Sequence, residues 1–305
     1  MPEVGPLYPL LYQPIVRRAL EEDLGLAGDL TSDVVVPENA RASASLVTRK
    51  DGRVAGLEVA LSVFRMLDAG ARIDAPCQDG DDVRAGTVLA TVIGPARQIL
   101  TAERTALNLI CRMAGIATAT AHAVETIRGC RARIVCTRKT TPGLRVLEKY
   151  AVRVGGGVNH RFGLDDGVMI KDNHIVAAGG IRKAIGRARE RLGHMVKIEV
   201  EVDTLDQLEE LLTVGADAVL LDNMTPDQLR TAVAMVDGRM VTEASGGITL
   251  DNLHAIAVAG VDIISLGWLT HSAPILDIGL DLETQEGPIE QVVCAPQRPM
   301  AAQAG

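Results

Sequence analysis

From about residue 131 onward the chain alternates short aliphatic runs with stretches of helical period, and no other feature limits its fold as tightly. The runs are 133–137 (RIVCT), 167–171 (GVMIK), 195–202 (MVKIEVEV), 217–221 (DAVLL), 239–243 (RMVTE) and 261–266 (VDIISL). Helix-period stretches such as 204–214 and 249–259 separate most of them, and the later units recur every 21–23 residues. A helix that returns the chain to the start of the next strand builds a parallel sheet. Six or seven such units favour a (β/α) barrel over an open sheet. Apolar residues make up 47% of the chain and aromatics only 2%, so the core is built from Ala, Val, Leu, Ile and Met. Such aliphatic runs suit strands buried on both faces.

The first part of the chain is organised differently. Residues 14–25 predict a short helix ending at Gly25, and GDLTS (28–32) a turn. Short strands follow in ASASLVTRK, GRVAGL, ARIDAP and DGDDVRAGTVLATVIGPAR, with a helix over 57–68. A long helix over 102–128 carries Ala106, Leu109, Ile110, Met113, Ile116 and Ala117 at helical spacing and stops at Gly129. Strands with helices packed on them fit an α+β domain. The expected division is an N-terminal domain over 1–115 and a barrel over 116–275. Residues 276–305 then pack back on the first domain or end in disorder, since 285–305 show no periodicity. The GDDV-x-x-G-x-x-LA pattern at 80–90 resembles the hairpin of biotinyl and lipoyl carriers. With no lysine between Arg53 and Arg138, a swinging arm is excluded.

Net charge is −8, which argues against nonspecific binding to nucleic acid or an anionic membrane. Residues 131–171 nevertheless hold nine Lys or Arg against three acids, a local +6 that suggests an anionic ligand. The five cysteines show neither CxxC pairing nor zinc-ligand spacing and read as reduced cytoplasmic thiols. The N-terminus lacks the pattern of a signal peptide, and no apolar stretch is long enough to span a bilayer.

Barrel active sites lie at the C-terminal ends of the strands. There the first run presents Thr137, Arg138 and Lys139, and the second Lys171. In the third, period two puts Lys197, Glu199, Glu201 and Asp203 on one face, opposite Val196, Ile198, Val200 and Val202. The apolar face packs on helices, so the charged face points inward. The fourth run ends in Asp222 and the fifth leads from Glu243 into Ser245-Gly246-Gly247. Charges of both signs at four strand ends are costly unless paired with each other or with ligand. The glycines between a strand and a helix allow backbone amides to approach a phosphate, with Gly267 placed to complete the cup. Alone, this turn is a weak signal. Glu201 and Asp222, on neighbouring strands, suit either Mg²⁺ held jointly with pyrophosphate or direct contact with ribose hydroxyls. His160-Arg161 follows Gly155–Gly157, which end a helix over 142–154, and fits an anion pocket with Lys171.

The run TRKTTPGLRVLEKYAVRVGGGVNHRFGLDDGVMIKDNH (137–174) resembles the central signature of the quinolinate phosphoribosyltransferases. EDLGLAGDLTS, ERTALNLICRMAGIAT, KIEVEVDTLDQLEE, GADAVLLDNM, EASGGI and SLGWLTHSAPILDIGLD resemble the family's other blocks in the same order, over about residues 20–282. The resemblance implies an N-terminal open-faced α/β sandwich and an incomplete (β/α) barrel. It implies transfer of phosphoribosyl from phosphoribosyl pyrophosphate to quinolinate with loss of carbon dioxide, aided by Mg²⁺. It further implies a homodimer or higher assembly in which one sandwich covers the partner's barrel.

Carried onto this sequence, the resemblance makes Arg138, Lys139, His160, Arg161 and Lys171 the quinolinate pocket, beside Thr137. Arg104 reaches into the neighbouring subunit's site. Glu201 and Asp222 contact ribose or Mg²⁺, and with Lys139 and Lys171 form the candidate catalytic set. Ser245, Gly246 and Gly247 with Leu266, Gly267 and Trp268 hold the 5′-phosphate. Cys111 and Ala114 stand where the family usually has Gln and Ser, and Trp268 where a small residue is usual. A nicotinate-using relative on the same barrel, a Schiff-base aldolase using Lys171 and a noncatalytic binding protein are the alternatives.

Overall fold

The order of elements explains how one long helix comes to join two sheets. The computed structural model describes residues 4–284. The first domain contains α1 (Pro9–Leu24), α2 (Leu30–Val35), β1 (Arg41–Thr48), β2 (Gly52–Arg53), α3 (Leu57–Leu67), β3 (Arg72–Asp74), β4 (Asp82–Val83) and β5 (Val88–Pro95). In β1, Ala42, Ala44 and Leu46 are fully buried and alternate with more exposed Arg41, Ser43 and Ser45. That period-two pattern lays one sheet face against α3 and the 31-residue α4 (Ala96–Thr126).

Three local expectations change. The first helix begins at Pro9 rather than 14, because a proline in the first turn surrenders an amide that needs no partner there. GDLTS is not a free turn: Asp29 Oδ1 accepts from the Ser32 amide at 3.0 Å and caps α2. The long helix starts at Ala96, directly after Pro95, so the strand read through VIGPAR ends at that proline. The calls for the tail over 285–305 lie outside the described residues.

The barrel follows as β6 (Arg133–Val135), α5 (Arg145–Val154), β7 (Val168–Ile170), α6 (Asp172–Ala178), α7 (Ile181–Arg191), β8 (Ile198–Val202), α8 (Leu205–Val214), β9 (Ala218–Asp222), α9 (Pro226–Val236), β10 (Val241–Ser245), α10 (Leu250–Val258), β11 (Ile263–Ser265) and α11 (Trp268–His271). The six strands form one parallel sheet in the order β7-β8-β9-β10-β11-β6. β12 (Ile278–Thr284) then leaves the barrel and pairs antiparallel with β1, giving the first domain its order β12-β1-β5-β3. The returning chain crosses α4 closely: a Cβ on Gly115 would sit 2.2 Å from the Pro274 carbonyl oxygen. Cys111 faces this crossing, its carbonyl accepting from Leu276 N at 3.0 Å, and Ala114 is buried in the same core. Both departures from the family pattern therefore lie in the packing of the first domain.

The barrel is incomplete between β6 and β7. Gly155–Gly157 end α5 against α4, where a Cβ on Gly155 would meet Thr120 Cβ at 2.5 Å. The chain then forms one parallel bridge, Val158 with Val135, and does not continue as a strand. The gap is spanned by a loop, and that loop carries His160 and Arg161.

Candidate active site

The parallel register decides which side chains share the barrel axis. Glu201 pairs with Leu220, Leu220 with Glu243, and Asp222 with Ser245. Period two therefore turns Glu199, Glu201, Asp222, Glu243 and Ser245 inward, while Val200, Val202, Val219 and Leu221 face the helices in the second core.

Around this axis stand the cations of the signature. Lys171, at the end of β7, forms an ion pair with Glu201 of β8. Arg161 donates from Nη1 to the Gly167 carbonyl at 2.9 Å, tying the gap-filling loop to the approach of β7. Arg161 also feels Arg138 as a neighbouring like charge, and the Arg138 Nε is buried without a partner among the described residues. Thr137 Oγ1 accepts from the Lys139 amide at 3.0 Å, so Thr137 turns the backbone that presents Arg138 and Lys139. A Cβ on Gly267 would lie 3.0 Å from Lys139 Cδ, so Lys139 passes over that glycine.

The loop that carries these cations is held by a buried network the sequence pattern does not reveal. Glu148 of α5 is fully buried and accepts from Arg112 Nη2 at 2.9 Å, Thr141 N at 3.0 Å and Thr141 Oγ1 at 2.8 Å. Thr270 Oγ1 donates to the Lys139 carbonyl at 2.8 Å from the other side. Glu148→Ala leaves the Arg112 charge without its counter-ion and the Thr141 amide without its acceptor. It should cost about 3–5 kcal/mol, read as a lower urea midpoint of unfolding.

Asp222 lies half-buried at the end of β9. Burial, then the charge of Asp203, pushes its carboxyl above the usual range, while Lys171 and Lys139 pull it back. Asn223 Nδ2 donates to Asp222 Oδ2 at 2.6 Å, and Asn223 itself takes a positive φ of 54°. Its neighbour across the turn is Gly246, with φ of 89°, where a Cβ would lie 2.2 Å from Asn223 Oδ1. Gly246→Ala should therefore lower stability by about 1–3 kcal/mol and shift Asp222, measurable as a lower melting temperature and lost turnover.

Among the described residues the Gly247 and Ile248 amides have no hydrogen-bond acceptor, and they precede the N-terminus of α10. This is an anion cup by geometry and dipole. Ser245 ends β10 and Leu266 directly follows β11, the two strands that flank it. Trp268 packs on the apolar layer of the barrel and donates from Nε1 to the Ile248 carbonyl at 3.0 Å, beside the cup.

His160 is engaged on both ring nitrogens. Nε2 lies 3.0 Å from Glu199 Oε2 and 3.4 Å from Glu243 Oε2, while Nδ1 accepts from the Arg161 amide at 2.7 Å. Burial works against a charged ring, as does the Arg161 amide on Nδ1, which needs a lone pair there; the hydrogen bonds that Nε2 makes to Glu199 and Glu243 pull His160 the other way, upward. Lys149, fully buried, donates to the His160 carbonyl at 2.9 Å and fixes the backbone there. Arg104 stands apart from all of these groups, exposed on α4.

The model of the quinolinate phosphoribosyl transferase C-terminal domain matches residues 116–281, and that of its N-terminal domain matches 29–114. The chain belongs to the quinolinate phosphoribosyltransferase family. It is 47% identical over 270 residues to the probable nicotinate-nucleotide pyrophosphorylase [carboxylating] of Bacillus subtilis (strain 168), covering 88% of this chain and 93% of that one. It is also 47% identical over 272 residues to the nicotinate-nucleotide pyrophosphorylase [carboxylating] of Mycobacterium leprae (strain TN), covering 88% and 95%. The crystal structure of NadC from Streptococcus pyogenes superposes with a TM-score of 0.89 at 39% identity, covering 92% of this chain and 100% of that one.

Family membership makes the incomplete barrel with its antiparallel companion domain the shared architecture. The boundary between the two family models falls inside α4, so the domains share a rigid connection in place of a linker. Glu199 and Glu243 occupy inward positions that the alternating pattern reveals, but only the fold shows that His160 joins them. Arg112, Glu148 and Lys149 carry no sequence signal beyond being charges on helical stretches.

Proposed function

We propose that this quinolinate phosphoribosyltransferase family member transfers the phosphoribosyl group of phosphoribosyl pyrophosphate to quinolinate, releasing pyrophosphate and carbon dioxide and forming nicotinate mononucleotide. The observation that carries this reading is the barrel mouth. Arg138, Lys139, Arg161 and Lys171 converge there opposite Glu201 and Asp222, with the amides after Ser245 forming an anion cup.

In this reading Arg138, Arg161 and Lys171 anchor the two carboxylates of the acceptor, and the cup takes the 5′-phosphate. Each close pair of unit charges contributes about 4 kcal/mol at an effective dielectric near 20, before desolvation. The ring nitrogen forms a bond to the anomeric carbon as the bond to pyrophosphate breaks. Glu201 and Asp222 face the positive charge that develops on the sugar. The product ring is a pyridinium, which stabilises the electron pair left when the adjacent carboxylate departs as carbon dioxide. That electron pair then takes a proton from solvent, forming a C–H bond where the carboxylate stood. Asp203 and Asp222 are like charges brought together at neighbouring strand ends, a donor set that fits Mg²⁺ held jointly with a pyrophosphate. When bound there, Mg²⁺ neutralises the leaving group.

The protein is placed in the cytoplasm in this reading, consistent with free Cys77, Cys111, Cys130 and Cys136. Among the described residues no helix is long and apolar enough to cross a membrane. The functional unit in this reading is a homodimer. Leu10, Leu26, Leu30, Val34 and Val35 are exposed on the N-terminal helices and their connection, an apolar patch that suits burial by a second copy. Arg104 then enters the partner's site. Arg104→Ala mixed with Lys171→Ala should regain activity in hybrid dimers; no gain after confirmed mixing overturns the shared site.

The deciding experiment incubates the protein with Mg²⁺, phosphoribosyl pyrophosphate and either quinolinate or nicotinate, and measures carbon dioxide and pyrophosphate. Release of both with quinolinate alone is expected. Pyrophosphate release with nicotinate alone would replace the acceptor.

A further inference from the structure

A buried ammonium joins the two segments that carry the acceptor-side arginines, and the reaction as described gives it no task. Lys149 of α5 is 0% exposed. Its Nζ donates to the His160 carbonyl at 2.9 Å and to Cys136 Sγ at 3.1 Å. It also stands 5.5 Å from the centre of the Phe162 ring. Cys136 directly follows β6 and lies two residues before Arg138. His160 and Phe162 flank Arg161 in the loop that fills the gap between β6 and β7. A single side chain thus fastens both segments.

None of these three partners is a carboxylate. An apolar side chain of similar volume would fill the space without the cost of stripping water from an ammonium. What the ammonium adds is direction, because it meets a carbonyl, a sulfur and a ring face at once. The gap-filling loop lacks a strand ladder to hold it. Val158 N donates to the Ile134 carbonyl at 2.8 Å and Cys136 N to the Val158 carbonyl at 3.3 Å. Cys136 Sγ then reaches Asn159 Oδ1 at 3.4 Å. Lys149 extends this seam to His160, the residue before Arg161. Arg161 and Arg138 are neighbouring like charges, and they repel. The Arg138 loop is held by Glu148 and Thr270, so the backbone that needs fixing against it is that of Arg161.

We propose that Lys149 is a positioning residue for the acceptor: it clamps the gap-filling loop to the end of β6 and so keeps Arg161 beside Arg138 for the two carboxylates of quinolinate. It acts through the His160 backbone. The anion cup is built on the turn between β10 and α10, to which Lys149 makes no hydrogen bond among the described residues. Its effect therefore falls on the acceptor and spares phosphoribosyl pyrophosphate. This role rests on the quinolinate reading of the site.

Carbon dioxide release from quinolinate by the wild-type protein is measured first. Absence of activity there overturns the functional reading and this role with it; given activity, the variants speak for Lys149 alone. Lys149→Met, which keeps the length and loses the ammonium, should raise the quinolinate KM about tenfold or more. The KM for phosphoribosyl pyrophosphate should stay within about twofold. Made in an Arg161→Ala background, the same change should cost less than about threefold in quinolinate kcat/KM, since no guanidinium remains there to position. Cys136→Ala removes one partner of Nζ and should raise the quinolinate KM about threefold. Cys136→Ser, which restores an acceptor, should return it toward the wild-type value. The two Cys136 variants decide the matter if Lys149→Met fails to fold. An unchanged quinolinate KM in Lys149→Met, equal rises in both KM values, a full loss that persists in Arg161→Ala, or Cys136→Ala and Cys136→Ser that behave alike would each overturn the proposal.

Discussion

Replacing Arg138 with alanine should raise the quinolinate KM about 10- to 100-fold while the KM for phosphoribosyl pyrophosphate moves less than about threefold. Arg138 stands on the loop after β6, which the Glu148 network holds from one side and Thr270 from the other. The truncation therefore removes a guanidinium from a fixed position. Its Nε has no hydrogen-bond partner among the described residues, so no protein acceptor there competes with an incoming carboxylate. A charge-assisted hydrogen bond is worth about 1.5–3 kcal/mol, and that range sets the expected factor. Steady-state rates with each substrate varied in turn provide the check. An unchanged quinolinate KM would remove Arg138 from the pocket.

Asp222→Ala should act on turnover, lowering kcat about 100- to 1,000-fold with a smaller change in the quinolinate KM. Asp222 faces the axis at the end of β9, between the cations of the acceptor side and the cup after β10. That is where charge on the sugar changes most during the reaction. Its carboxyl is held above the usual range by burial and by Asp203, so the ionised form is lost earlier as pH falls. The acid limb of the wild-type kcat profile should accordingly lie above that of an ordinary aspartate. A loss confined to quinolinate binding, or an acid limb at the ordinary position, would count against this role.

The two variants probe different halves of the site, and the halves were unequally visible before the fold was known. Glu201, Asp222 and Glu243 follow from period two and from their place at strand ends. The pairing of Lys171 with Glu201 does not, because nothing in a one-dimensional pattern says that β7 lies beside β8 in this register. His160 reads as one member of an anion pocket. The fold shows it turned to two carboxylates, because the loop that carries it fills the gap between β6 and β7. The hydrogen bond from Trp268 to the Ile248 carbonyl is likewise visible only in the fold.

By itself, the sequence determined the strand–helix alternation, the inward face of each strand and the glycine turn of the anion cup. All three follow from local periodicity and backbone freedom, which are properties of neighbouring residues. Only the tertiary structure decided which strands adjoin, where the barrel stays open and which charges compensate one another. Those depend on contacts between residues far apart in the chain, such as Arg112 with Glu148, His160 with Glu199 and Glu243, and β12 with β1. A buried charge is tolerated only where folding delivers its partner, and that delivery has no local signature.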